Sequence, residues 1–476
     1  MTQMRAVPNV RLRPLMVAVV ALFGAESGSG WAAPAVTNCQ DSGSGSLRAS
    51  VLAATDGDTV DATQLQCSVI SLTTGSILVG QGSLKINGPG IDKLTIDGTH
   101  ETESGNIIFH NGNGTLEISD LAVTAGFLYL NDDSKYFGGG CIFSAGNAIL
   151  TRTSVTDCAM YAGHLSRARG GGVFASGSLS LTDSIVSGNM TRGAELGGSG
   201  SGYYDPTFGG GLFAIGPITL TRTAVRDNYG THGGGIYAKG ALSIYSSSIS
   251  DNTSLYSGGI EGRGSLWLQD STVSANQGSL FGGIALAHPT NPQAQTATVR
   301  SSTISGNVSI FGYSTSGFAS VIPTTISHST IAFNIGVSDK SYAALNVFGA
   351  TLQLDSSIIA ENMPQDVFAS QGTAASGAAN FINNGNVTLS GTISGCPRLQ
   401  PLGDYGGATQ THALRPGSPA IHSGANPDFL PHDQRGAGFP RVFGAAADIG
   451  AYEWQGEFPD ALFRSGFNRS AAFCDW

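Results

Sequence analysis

Apolar and polar positions along this chain recur with a period far longer than one helix or strand. Gly210-Gly211-Leu212, Gly234-Gly235-Ile236, Gly258-Gly259-Ile260 and Gly282-Gly283-Ile284 repeat one pattern, each 24 residues after the last. Asn228, Asn252 and Asn276 keep the same step. Three positions before each Asn stand Val225, Ile249 and Val273; five before, Thr223, Ser247 and Ser271; eight before, Leu220, Ile244 and Leu268. The same frame returns at 186–189, 304–307, 331–334 and 359–362. Alternation over such short runs predicts strands, and the change of parity between eight before and five before requires a corner. Like residues at like offsets stack coil on coil into aliphatic, hydroxyl and Asn columns.

These columns predict an all-β chain, a single parallel β-helix, right-handed by the general crossover preference. Roughly ten to twelve coils would form a rod on the order of 50 Å long. Asn suits a sharp corner because it tolerates positive φ and bonds to the Asn above and below. Glycine at the other corner permits positive φ and close backbone approach.

An open solenoid end exposes strand edges, so caps are expected. Ser46 stands as N-cap before a short amphipathic helix with Leu47 and Val51 one turn apart, and Gly57 supplies the stop. At the other end the repeat is lost after about Cys396. There Asp433, Arg435, Arg441, Asp448 and Glu453 crowd together, which suits buried ion pairs holding a wrapped tail better than a ligand site. The predicted layout is a signal at 1–32, an N-terminal cap at 33–68, the β-helix at 69–396, a C-terminal cap at 397–456 and a tail at 457–476.

Composition narrows the function. Arg5, Arg11 and Arg13 precede an apolar run at 15–23, with small residues by Ala32, the pattern of a secretory signal. That run is too short to span a bilayer, and no later segment is long enough, so no transmembrane helix is expected in the mature chain. Export would carry the six cysteines into an oxidising compartment. Cys39 with Cys67, and Cys141 with Cys158, are the expected bridges; whether Cys396 joins Cys474 stays open. No Cys-x-x-Cys spacing points to metal, and no cofactor motif is present. A formal charge of −10 without a basic stripe argues against nucleic acid.

Three expansions leave the repeat after the Asn position or its equivalent, between Ala125 and Gly138, Cys158 and Gly170, and Asn189 and Gly209. Insertions on one corner of neighbouring coils form a face for ligands. They bring Asp132, Asp133 and Tyr136; His164, Arg167 and Arg169; then Glu195, Tyr203, Tyr204 and Asp205. Rings with carboxylates and donors suit sugars, a ring taking the apolar face and polar groups the hydroxyls. A pair of these acids would also serve glycoside cleavage. Against catalysis, Asp183 and Asp270 share a repeat offset but Arg222 and Ser246 intervene, so no acidic ladder forms. His110, His232 and His288 read as isolated and structural.

The run Cys39, Gly45-Ser46-Leu47-Arg48-Ala49 and Gly57-Asp58-Thr59-Val60 resembles a variant of the Cys-Ser-Leu-Arg-Glu-Ala segment of exported bacterial proteins. Residues Leu402-Gly403-Asp404, 409–414, 417–421, Asp433-Gln434-Arg435-Gly436 and 448–453 resemble the choice-of-anchor Q domain family. The resemblance implies a secreted or surface-attached right-handed parallel β-helix of the pectin-lyase-like fold, and no defined reaction. His422 departs from it, where an acid is common. The expectation is therefore an exported β-helix, more binder than enzyme, in adhesion or glycan contact. Alternatives are a polysaccharide lyase or glycoside hydrolase, and a purely structural surface rod.

Overall fold

In each coil the chain runs through four short strands, as in Ile236–Ala238, Leu242–Tyr245, Ser248–Ser250 and Thr253–Ser254. Each pairs in parallel with its counterpart one coil on, Ile236 opposite Ile260 and Leu242 opposite Leu266. The computed structural model describes residues 35–99, 105–130, 138–163, 167–196, 203–286, 291–292 and 294–456. The expected signal at 1–32 and the tail at 457–476 lie outside them.

The first strand of each coil joins an eleven-stranded sheet, the middle two form one continuous sheet, and the last joins an eight-stranded sheet. The chain is thus a parallel β-helix of about ten turns. Its core is the expected stack of aliphatics, including Leu220, Ile244 and Leu268, and Val225, Ile249 and Val273, all fully buried.

The Asn column is a continuous hydrogen-bond ladder. Asn228 donates both N–H and Nδ2–H to Asn252 Oδ1 at 3.0 and 2.9 Å, and Asn252 does the same to Asn276. The ladder continues through Asn307 and Asn334 to Asn362. Positive φ falls, however, on the residue before each Asn: Asp227 (57°), Asp251 (56°) and Ala275 (54°). The preceding residue turns the chain, so the Asn side chain is free to point along the stack. A second left-handed corner precedes each hydroxyl, as at Arg222 (46°) and Ser246 (46°). This is where the parity of the pattern changes. Each hydroxyl accepts the backbone N–H from the coil before it, Ser247 Oγ from Thr223 and Ser271 Oγ from Ser247.

The paired glycines have a steric cause. A Cβ on Gly235 would stand 2.8 Å from Gly259 O and 2.9 Å from Asn252 Nδ2. Only glycine leaves room for the ladder at this corner.

The N-terminal helix Leu47–Ala53 is capped by Ser46, whose Oγ accepts from Ala49 N at 3.2 Å. Leu47 and Val51 face the first coil, and Gln81 Nε2 satisfies the carbonyls of Val51 and Ala54. The helix stops before Gly57, because Ala54 is already extended and bonds back to Ser50 O and Val51 O. Cys39–Cys67 and Cys141–Cys158 are disulfides. Cys396 has no disulfide partner among the described residues, and Cys474 lies outside them.

The irregular C-terminal segment folds back along the flank of four coils. Thr409 Oγ1 donates to Asp270 O, Thr303 Oγ1 bonds Thr411 and Gln434, Ala451 N donates to Thr330 Oγ1, and Gly450 N to Ser356 O. The outward residues beneath it, Thr272, Ser274, Thr303, Ser305, Thr330 and Ala332, are consequently buried. In earlier coils the same outward position holds the exposed Arg226.

Candidate functional site

On the eleven-stranded sheet each three-residue strand turns its outer two side chains into the core and its middle one outward. The outward column is aromatic: Phe109, Phe143, Phe174, Phe213 and Tyr237 lie in register on successive coils. Their rings stack almost parallel, with centroids 4.7, 5.3, 5.3 and 5.5 Å apart. Parallel pairing forces this, since one coil displaces like residues by one strand spacing of about 4.8 Å. A second column starts at the corner before the glycines. Arg169, Phe208 and His232 are bridged in register, and His232 sits 5.2 Å from the Phe208 ring and 4.7 Å from Tyr256.

The aromatic column ends at Glu261, in register with Tyr237. Its side chain is 3% exposed. Oε2 takes hydrogen bonds from His232 Nδ1 at 3.0 Å and Ser257 Oγ at 3.2 Å. Oε1 is buried and meets no hydrogen-bond partner among the described residues. The carboxylate fixes the His232 tautomer with the proton on Nδ1. The reading of His232 as an isolated histidine is therefore corrected: Glu261 lies 29 residues on in sequence, one coil away in space.

Cations flank the columns. The Arg169 guanidinium lies 5.6 Å from the Phe213 ring centre, and that of Arg263 lies 5.7 Å from Tyr237. Burial holds the Lys239 ammonium below its ordinary pKa, and the fields of Arg169, Arg263 and Arg167 push it the same way. Burial raises the Tyr237 hydroxyl to about 12, with the Glu261 charge adding to it against the opposing arginines. Burial and then Glu261 also raise Tyr256. Both phenols stay neutral donors at physiological pH. Phe213 and Tyr237 are themselves buried, at 0% and 1% exposure, so the ring surface open to a ligand is that of the partly exposed Phe208, His232 and Tyr256.

Of the residues proposed from sequence, Arg167 and Arg169 enter this cluster. Glu195–Leu196 and Tyr203–Tyr204 form an antiparallel hairpin, Glu195 opposite Tyr204. Asp205 follows it, buried, its N–H bonded to Ala194 O. Asp132, Asp133, Tyr136 and His164 lie outside the described residues. The expansions do start side by side, since Tyr129, Tyr161 and Arg192 are in register on neighbouring strands. Tyr237, Lys239, Glu261 and Arg263 escaped the sequence reading, although a signal was present. They stand at fixed offsets after the Gly-Gly-aliphatic motif, at the step after the aliphatic residue and two further on.

The C-terminal acid–arginine group is paired internally. Arg435 bonds Asp433 at 2.6 Å and lies between the rings of Phe439 and Tyr452, 3.9 and 3.8 Å from their centres. Arg441, fully buried, donates to Glu453 Oε2 at 3.0 Å and to the carbonyls of Gly450 and Asp448. His422, Asp448 and Glu453 lie close enough to share a cation. Yet Asp448 already accepts from the N–H groups of His422 and Trp454, and Glu453 from those of Phe443 and Asp448. This set reads as a clamp on the folded-back segment.

No family model matches the chain, and no curated protein matches it. Among solved structures it is similar to the A-module of a mannuronan C-5 epimerase from Azotobacter vinelandii, at 13% identity and a TM-score of 0.30. That likeness covers 70% of this chain and 91% of the module. Among the described residues, no helix is long and apolar enough to cross a membrane.

Proposed function

We propose that this is an exported β-helix protein, acting outside the cell or at its surface, that contacts glycans through the outward face of the eleven-stranded sheet. The observation that carries the reading is the convergence of Arg169, Lys239 and Arg263 on the Phe213–Tyr237 column beside Glu261 and His232. Beside that buried column the Phe208, His232 and Tyr256 rings stay partly exposed, and partly exposed rings with polar groups at their edge are what a sugar needs. Two disulfides agree with an oxidising compartment. The signal at 1–32, the cap and tail boundaries, and membership of the choice-of-anchor Q family belong to the same proposal.

The test is a glycan array probed with the purified protein. Binding that falls in Arg169→Ala, and in Tyr203→Ala plus Tyr204→Ala, supports the reading; no binding to any glycan removes it. A second reading, lyase or hydrolase, has the Glu261–His232 pair in its favour, since a carboxylate-oriented imidazole is a competent proton acceptor. Release of unsaturated or reducing ends that stops in His232→Ala would turn the binder into an enzyme.

A further inference from the structure

An apolar groove of about 310 Å³ lies between the coil corners and the folded-back segment. Ala275, Phe333 and Ile335 line it from the coils, and Leu399, Pro401 and Leu402 from the segment. Ala275, Ile335 and Pro401 are exposed and Phe333 and Leu402 half-buried, so the lining is accessible. The buried ring in its wall is already engaged: His412 Nδ1 meets Gln400 O and Nε2 meets Ser305 Oγ, both at 2.8 Å. Arg415 also lines the groove and has partners of its own. The apolar surface continues beyond it. Ile335 is bridged to Met363 one coil on, and Val337 N donates to Ser309 O, beside Ile310. Ile310, Val337 and Met363 are 38%, 63% and 46% exposed. An exposed apolar patch that runs into a groove marks a docking surface.

The chain itself supplies an occupant. Its described part ends at Gly456. Two residues earlier, Trp454 packs against the same apolar cluster as Phe333 and Leu399, which wall the groove. Residues 457–476 continue from there and carry Phe458, Leu462, Phe463, Phe467, Phe473 and Trp476. Such side chains gain free energy when taken out of water. The second observation is a thiol. Cys396 is half-buried, stands three residues before Leu399, and has no disulfide partner among the described residues. Two bridges take four of the six cysteines, which leaves Cys474 as its counterpart. From Gly456 to Cys474 the chain reaches up to roughly 60 Å, against a coil spacing of about 4.8 Å.

We propose that residues 457–476 dock in this groove as an apolar strap, with Cys474 joined to Cys396. The bridge forms by exchange with a disulfide oxidant. The Cys396 thiolate attacks one sulfur of the oxidant, forming a mixed disulfide and releasing the other sulfur as a thiolate. The Cys474 thiolate then attacks the Cys396 sulfur and displaces the second. Two electrons pass to the oxidant, which leaves as two thiols carrying the two protons. Cys39–Cys67 and Cys141–Cys158 agree with a compartment that supplies such an oxidant. Reduction removes the covalent hold and leaves the apolar contact alone to keep the strap in place.

The test uses the full chain, purified without reductant and oxidised with glutathione disulfide. Mass spectrometry of its peptides should find Cys396 and Cys474 in one linked pair. Trypsin reads the docking, because Arg464 and Arg469 lie in the strap. Cleavage there should be slow in the parent and at least about tenfold faster in Ile335→Asp plus Leu402→Asp, since a charge in the groove opposes apolar contact and cleavage tracks the open population. Should that variant fail to fold, Phe463→Ala plus Phe467→Ala makes the same test from the strap, outside the coils. Equal cleavage in parent and variants would overturn the docking. Full labelling of Cys396 by a maleimide after oxidation would overturn the bridge, and with it the proposal. A dimer that dissociates in the groove variant, with the strap cut freely in both proteins, would give the groove to a second copy and overturn the proposal too. None of these readouts depends on glycan binding.

Discussion

Replacing Asn252 by alanine tests the ladder on which the whole coil stack depends. The Asn252 side chain is fully buried and makes four hydrogen bonds. Oδ1 accepts from Asn228 N at 3.0 Å and from Asn228 Nδ2 at 2.9 Å. Nδ2 donates to Val225 O at 3.0 Å and Asn276 Oδ1 at 2.9 Å. Some losses are softened, because Asn276 Oδ1 keeps the Asn252 N–H and Asn228 Nδ2 keeps Val186 O and Arg226 O. The Asn228 N–H has no such substitute and is left buried. One stranded donor costs about 1–3 kcal/mol and the three further lost bonds about 1 kcal/mol each, giving at most roughly 4–6 kcal/mol. Urea unfolding followed by far-ultraviolet circular dichroism reads the total. Amide hydrogen exchange reads its location, since each coil contacts only its neighbours. Protection should fall most at Asn228 and in the coils around it. A loss below about 1 kcal/mol, with the Asn228 amide still protected, would show that the ladder does not hold the coils.

Three other perturbations reach different parts of the molecule. Burial lifts the Asp270 carboxyl to about 6, with Asp433 adding to it and Gln269 opposing; its raised pKa favours folding below the unfolded value and loses that advantage as pH rises toward 6. Asp270→Asn, well suited to its φ of 51°, should therefore gain on the order of 2 kcal/mol at pH 7 and little at pH 4, read by urea titration at both. Burial depresses His412 to about 4, against the support of Gln400 O, so the native state binds fewer protons than the unfolded chain and is weakened as pH falls from 6.5 through 4. Limited proteolysis should show the folded-back segment released toward pH 4 in the native protein, and a release unchanged by His412→Gln would refute the assignment. Arg441→Met strands the buried Glu453 and should cost about 3–5 kcal/mol, opening 397–456 to protease while the coils stay intact; equal resistance of variant and parent would count against the clamp.

How far the sequence reached can be judged at particular residues. Val225, Ile249 and Val273 stack because one coil is one period, so a linear count sees the contact directly. The same count found the Asn and hydroxyl ladders and the corner before Ser247. It misplaced positive φ by one residue, since Asn tolerates that conformation and the local preference gave no reason to look at Asp251. His232 looked solitary because Glu261 is on the next coil and at a different offset. Column analysis compares like offsets, and this pair joins unlike ones. Arg169 reaches the Phe213 ring from the preceding expansion, again across offsets.

The order of apolar, hydroxyl, Asn and Gly positions by itself determined the coil, its period, its corners and its core, because a solenoid repeats a local unit and long-range contacts reduce to arithmetic. Only the tertiary structure decided which outward residues share a face and which are covered. The fold-back of 397–456 onto Thr303 and Thr330 obeys no period. Neither does the meeting of Arg169, Arg263 and Glu261 at the Phe213–Tyr237 end of the ring column. Both depend on how side chains at different offsets project from a curved surface, a distance that sequence spacing does not measure.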